Sequence, residues 1–188
     1  SYGKTSTKEY LAAILSVKFN VLKTREHQNS EVGISQCVLD ELTPNHEIFI
    51  VEMGAYNRGG IKLLCDIVRP KIGVLTGINE QHMATFGSQE NIIKTKYELV
   101  ESLPNDGTAF FNGNNQYCLD LFEKTLRRGS GRAKLYGEGA LSAYEENLAG
   151  AVAVAEFLGV NLEAIERGVQ KIKLSKASRV KKGANGIE

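Results

Sequence analysis

The segment EIFIVEMG, residues 47–54, decides how the chain reads. Ile48, Phe49, Ile50 and Val51 form an unbroken apolar run, and the acidic Glu52 ends it. A strand with one wet face alternates apolar and polar residues, so a continuous run predicts a strand buried on both faces, as in a parallel sheet covered by helices. Four more stretches fit the same sheet: FNVLKT (19–24), KIGVLTGI (71–78) behind Pro70, GTAFFN (107–112) behind the turn PNDG, and AKLYG (133–137). Helical patterns fall between them, over about 5–17, 31–42, 60–67, 89–103 and 115–127. Beyond 143 the pattern is all helical, with Gly159 as a helix C-terminus and Asn161 as the N-cap of the next. Strands alternating with helices predict an α/β fold, a doubly wound and mostly parallel sheet with helices on both faces.

Composition narrows the function classes. The 188 residues are 42% hydrophobic and 24% charged, enough for an ordinary buried core, and the net charge is +1. Nucleic-acid or anionic-membrane binding calls for a basic excess that this chain lacks, while a small anionic ligand on one loop remains compatible. Cys37, Cys65 and Cys118 are odd in number and far apart, which predicts reduced structural thiols rather than disulfides or a zinc site. No stretch approaches the roughly 18 apolar residues of a membrane span.

In an open α/β sheet, ligands bind outside the carboxyl ends of the strands, so the residues there are read for chemistry. Gly3-Lys4-Thr5 resembles the end of a phosphate-binding loop, and a helix follows it directly. Lys4 would neutralise phosphates and Thr5 would offer its hydroxyl to Mg²⁺; a chance triplet is the alternative. Glu52 ends the most apolar strand, where a carboxylate can hold Mg²⁺ beside a phosphate loop, or simply begin an exposed loop. His82 follows the third strand as a possible metal ligand or a solvated imidazole. Lys96 reads, by itself, as a solvated lysine on a helix. Asn112 ends the fourth strand and can bond a base or sugar, or cap a turn. Together the Gly3-Lys4-Thr5 triplet, Glu52, His82 and Asn112 converge on one edge of the sheet and predict a nucleotide-and-magnesium site.

The stretches SYGKTSTK, VEMGAYNRGGIKLLCDIVRPKIGVLTGINEQHMATFGSQENIIKTKYEL and ENLAGAVAVAEFLGV resemble the central ATP-binding domain of the Mur ligase family, in particular its D-alanyl-D-alanine-adding branch. The resemblance implies a P-loop-type domain over 1–174 and, over 175–188, a linker toward a further domain. The family's loop reads T-G-S-x-G-K-T, so Ser1 would follow its opening glycine, and the strand and UDP-binding domain ahead of it would lie outside the chain. The family also places antiparallel strands and a His-Asn before the helix that here begins Tyr144-Glu145-Glu146-Asn147, so a segment near 137–143 is expected to be missing.

Residue by residue, the resemblance implies that Ser1, Tyr2, Gly3, Lys4, Thr5 and Ser6 surround the ATP phosphates, with Arg179 reaching them from the domain's end. Thr5 and Glu52 would hold one Mg²⁺. His82 and a Lys96 carbamylated by CO₂ would serve a second, with Lys4, Lys96 and His82 as the catalytic set. Asn112 would approach the adenine, Asn147 would stand near the nucleotide, and Thr24 and Asn29 would lie along the substrate path. The implied activity is ATP-dependent joining of D-alanyl-D-alanine to a UDP-linked muramyl peptide, in a monomeric protein of the bacterial cytoplasm, the 188-residue piece alone being inactive. Two alternatives stand beside it: a nucleotide-binding module without ligase activity, and another ligase of the superfamily, of folylpolyglutamate or cyanophycin synthetase type. A kinase would need an H-R-D type catalytic loop, which is not present.

Overall fold

The structure, a computed structural model, describes residues 2–79, 86–128 and 132–184, with side chains as far as Leu174. Among the described residues, five strands alternate with helices in the order α1 (Lys4–Leu15), β1 (Val21–Lys23), α2 (Glu31–Asp40), β2 (Ile48–Ile50), α3 (Gly60–Val68), β3 (Ile72–Leu75), α4 (Gln89–Glu101), β4 (Thr108–Asn112), α5 (Gln116–Arg127), β5 (Ala133–Tyr136), α6 (Ala143–Phe157) and α7 (Leu162–Ala184). All five strands lie where the sequence places them, each slightly shorter than its apolar run. All strand pairs are parallel: β1 with β2 (Leu22 opposite Phe49), β3 with β4 (Val74 opposite Phe110), and β4 with β5 (Phe111 opposite Leu135).

Local chemistry fixes the helix starts. The side chains of Ser30, Ser88, Asn115, Ser142 and Asn161 each accept a backbone N–H three residues on, satisfying an amide the helix cannot. At the other end of α6, Gly159 takes φ 73°, and Val160 N–H returns to Ala155 O at 3.0 Å, the turn that stops a helix at glycine. Pro104 and Gly107 close the turn before β4 through a 2.8 Å backbone bond. Between β5 and α6, Gly137 and Gly139 both adopt positive φ and Ala140 N–H bonds to Gly137 O, so six residues suffice for a tight joint. α7 runs unbroken through 174, where the sequence reading divides domain from linker.

Alternation along the strands distributes side chains to two layers. Phe110 and Tyr136 point toward α1, α6 and α7, joining Tyr10, Leu11, Ile14, Leu15, Val154 and Ile165. Ala109, Phe111 and Leu75 point the other way, toward α4 and α5, with Ile92, Cys118 and Leu121. A third cluster, Ile34, Ile61, Leu64 and Cys65, binds α2 to α3. All three cysteines are free and buried.

The expectation for β2 needs correction. Its apolar run predicts full burial, but Ile48, Phe49 and Ile50 are each only half-buried. β2 and β3 are not hydrogen-bonded to one another. Between them lies a cavity of about 550 Å³, bordered by β2 and β3 and by Lys4, Lys8 and Leu11 of α1. β4, flanked on both sides, is buried at every residue. The candidate site stands at the carboxyl end of this cavity.

Candidate nucleotide and metal site

Gly3 is the N-cap of α1 and adopts φ 77°, a conformation that favours glycine. A Cβ there would also meet Asn147 Oδ1 at 2.3 Å. The same Oδ1 accepts the buried Thr7 hydroxyl at 3.3 Å, so α6 holds the first turn of α1 in place. No acidic residue occupies that turn, leaving its positive end free to face an anion. Tyr2, just ahead, is tied to the end of β3, because its carbonyl accepts the Thr76 hydroxyl at 2.6 Å.

Glu52 is held from three directions. Its backbone N–H donates to Thr24 Oγ1 at 3.1 Å, its Oε1 accepts the Thr5 hydroxyl at 3.1 Å, and its Oε2 lies 3.4 Å from Lys8 Nζ. The Glu52 side chain is 9% exposed, so the carboxylate is largely withdrawn from water. A hydroxyl and a carboxylate this close are oxygen donors of the kind a hard divalent cation takes, and the pair fits Mg²⁺. Among the described residues no group of three or more His, Cys, Asp or Glu assembles. A cation here would therefore complete its shell from phosphate oxygens and water, which is how Mg²⁺ is commonly bound.

Lys96 enters the same cavity from α4 and shares its lining with Lys4. Burial, reinforced by repulsion from Lys4, lowers its pKa to about 8 against a small opposing pull from Glu98. Its Nζ stands 5.8 Å from the centre of the Phe86 ring. The reading of Lys96 as a solvated surface residue is thereby set aside.

Asn112 is fully buried at the end of β4. Its amide donates to Thr76 O and to Glu146 Oε2, both at 2.9 Å, and its Oδ1 accepts from Asn114 N–H. It shapes the wall between β3, β4 and α6. Thr24 is fully buried and its hydroxyl is engaged by Glu52. Asn29 lies against Gly54, whose N–H donates to Asn29 O at 2.8 Å. Ser6 is half-buried in the first turns of α1. Ser1 and His82 lie outside the described residues, as does the side chain of Arg179.

The family description "Mur ligase middle domain" matches residues 1–173 of this chain. The chain belongs to that family. It is 42% identical over 137 residues to a UDP-N-acetylmuramoyl-tripeptide--D-alanyl-D-alanine ligase of Synechocystis, covering 73% of this chain and 29% of the relative. The enzyme of the same name from Bacillus subtilis is 33% identical over 145 residues, covering 77% of this chain and 30% of the relative. The chain thus spans less than a third of the length of these relatives. Among solved structures, MurF from Acinetobacter baumannii matches 89% of this chain and 43% of its own, with a TM-score of 0.77 and 27% identity.

Within this Mur ligase middle domain, four residues carry geometry that the sequence reading passed over. Thr76 anchors Tyr2, Glu146 receives Asn112, Lys8 backs Glu52, and Glu98 accepts the N–H groups of Gly59 and Lys62. Lys8 had a local signal, since it follows Lys4 by one helical turn and so shares its face. The other three had none, because each contact joins segments distant in the chain.

Proposed function

We propose that this Mur ligase middle domain is the ATP-binding part of a ligase that joins D-alanyl-D-alanine to the carboxylate of a UDP-linked muramyl tripeptide. The observation that carries the reading is the Thr5–Glu52 pair at 3.1 Å, with Thr5 two residues after the left-handed Gly3. An anion site and a hard-cation site thereby share one helix end. The names of the relatives supply the substrates. The substrate carboxylate oxygen attacks the γ-phosphorus of ATP, ADP leaves, and an acyl phosphate forms. The amine of D-alanyl-D-alanine then attacks the acyl carbon, phosphate leaves with the bond electrons, and the nitrogen's extra proton passes to solvent.

This chemistry needs placement and charge neutralisation more than a protein nucleophile. Lys4 lies against the β- and γ-phosphates, and the amides opening α1 orient them. Thr5 and Glu52 hold Mg²⁺, which when bound neutralises developing phosphate charge. Lys96 takes up CO₂: its neutral nitrogen bonds to the carbon, one proton passes to solvent, and the amine becomes an anionic oxygen donor. A pKa near 8 supports this step, because a fraction of the amine is neutral at physiological pH. By the family resemblance, His82 would join Lys96 at a second cation, Arg179 and Ser1 would serve the phosphates, and the adenine would lie near the wall that Asn112 organises. The protein works as a monomer in the bacterial cytoplasm; among the described residues no helix is long and apolar enough to cross a membrane.

The test is product formation by the full-length protein that carries this domain. Given ATP, D-alanyl-D-alanine and the UDP-linked tripeptide, it should release ADP and phosphate in step with UDP-pentapeptide. No release with all three present overturns the reading. Isotopically labelled CO₂, followed by NMR, should give a carbamate signal that Lys96→Ala loses.

A further inference from the structure

Lys8 poses a problem of charge. Its side chain is 3% exposed, and its ammonium lies 3.4 Å from Glu52 Oε2 and 3.7 Å from Glu9 Oε1. Among the described residues its Nζ has no hydrogen-bond partner. Glu9 is shared, since its other oxygen pairs with Lys23 of β1. An ammonium has three protons to place, and burying it without acceptors is costly. An apolar side chain of similar length would fill the space without that burial cost, but would leave the Glu52 carboxylate without its counter-charge. What the ammonium supplies is positive charge beside a carboxylate that is itself nearly buried, at the oxygen that Thr5 does not engage.

That arrangement sets up a competition. A divalent cation at Thr5 and Glu52 and the Lys8 ammonium draw on the same carboxylate charge. With the cation bound, the two positive groups repel across a largely dry carboxylate, where Coulomb terms are poorly screened. We infer that Lys8 is a positioning residue: a built-in counter-ion that holds the Glu52 side chain turned inward when no metal is bound, and that loosens the metal's hold so that it exchanges. The inference rests on the magnesium site proposed above.

The experiment titrates Mn²⁺ into the full-length protein at saturating ADP and reads bound metal by electron paramagnetic resonance, with melting of the metal-free protein alongside. Lys8→Met keeps the length of the stem and removes the charge. It should bind Mn²⁺ about tenfold more tightly, since a nearby positive charge is gone, while melting lower without metal. Lys8→Arg should return both values toward wild type. Lower melting with unchanged or weaker Mn²⁺ binding gives Lys8 a packing role alone and overturns the inference.

Should Lys8→Met not fold, Glu9→Gln tests the same idea at a side chain that is 40% exposed. It removes the competing carboxylate, turns the ammonium more fully onto Glu52, and should weaken Mn²⁺ binding severalfold. Unchanged or tighter binding overturns the inference. Wild-type protein that binds no Mn²⁺ with ADP removes the magnesium site itself, an outcome distinct from failure of the Lys8 variants.

Discussion

The Glu98 carboxylate accepts the Gly59 N–H at 2.7 Å and the Lys62 N–H at 3.1 Å. The N-cap of α3 is Gly59, which has no side chain to do this work, so a carboxylate from α4 does it instead. The contact fixes the loop after Glu52 against the helix that carries Lys96. Glu98→Ala should therefore cost about 1–2 kcal/mol, the range for losing a cap made by a charged acceptor. Glu98→Gln, which retains one acceptor oxygen, should recover part of it. Urea unfolding measures the loss, and amide exchange should accelerate at Gly59 and Lys62 before other positions.

Gly3→Ala is expected to disable the nucleotide site while leaving the fold standing. The substitution meets two obstacles: the left-handed φ of 77°, and Asn147 Oδ1 at 2.3 Å from the new Cβ. The backbone term is of order 1–3 kcal/mol, and relief of the clash must move Asn147 away from Thr7. Calorimetric titration of the full-length protein should show ADP binding weakened by about tenfold or more, as a loss of roughly 1.4 kcal/mol implies. Far-ultraviolet circular dichroism should barely change. ADP binding at wild-type strength would show that this first turn does not face the nucleotide.

What was legible in the sequence follows from how local each signal is. EIFIVEMG and GTAFFN announce strands because an apolar run needs no knowledge of its neighbours. Full burial of β2 did not follow, because it depends on what lies beside Ile48–Ile50, and one edge there borders a cavity. Gly3, Thr5 and Glu52 were readable because a helix start and a strand end each have a fixed chemical role. Glu98 and Glu146 were not: a charged residue on a helix reads as solvated, and their partners Gly59 and Asn112 stand 39 and 34 residues away. Lys96 changed character for the same reason, since its burial comes from other elements of the fold.

The lowered pKa of Lys96 has a consequence for stability. Its folded value is about 8 against an ordinary 10.5, mainly through burial. Between those values the unfolded chain keeps a proton that the folded chain has released, so stability rises with pH across that window. Below it the buried charge opposes folding in full. Lys96→Met removes that cost and should raise stability at neutral pH by on the order of 1–3 kcal/mol. The gap should close as pH climbs above the window. Denaturant midpoints of wild type and variant, taken in the absence of CO₂ and metal, give the comparison. A constant gap at all pH values would mean that the lysine is well solvated.

Asn112 offers the sharpest test of the wall behind the site. Its amide faces a carbonyl, Thr76 O, and a carboxylate, Glu146 Oε2, so both neighbours need a donor. Asn112→Asp preserves the shape and reverses the chemistry. An ionised aspartate would set two carboxylates together at a fully buried position, which raises the pKa of the pair. Loss of about 3–5 kcal/mol is expected where both are charged, the range for an uncompensated buried charge. A raised carboxyl pKa means that the penalty is complete above the folded pKa. It is relieved as pH falls through that value, when a protonated acid again supplies a donor. Asn112→Ala loses the donor at every pH. Unfolding of the two variants at about pH 5 and about pH 8 should therefore diverge, with Asn112→Asp the less stable at the higher pH and gaining on Asn112→Ala at the lower. Parallel behaviour would mean that Glu146 does not face this side chain.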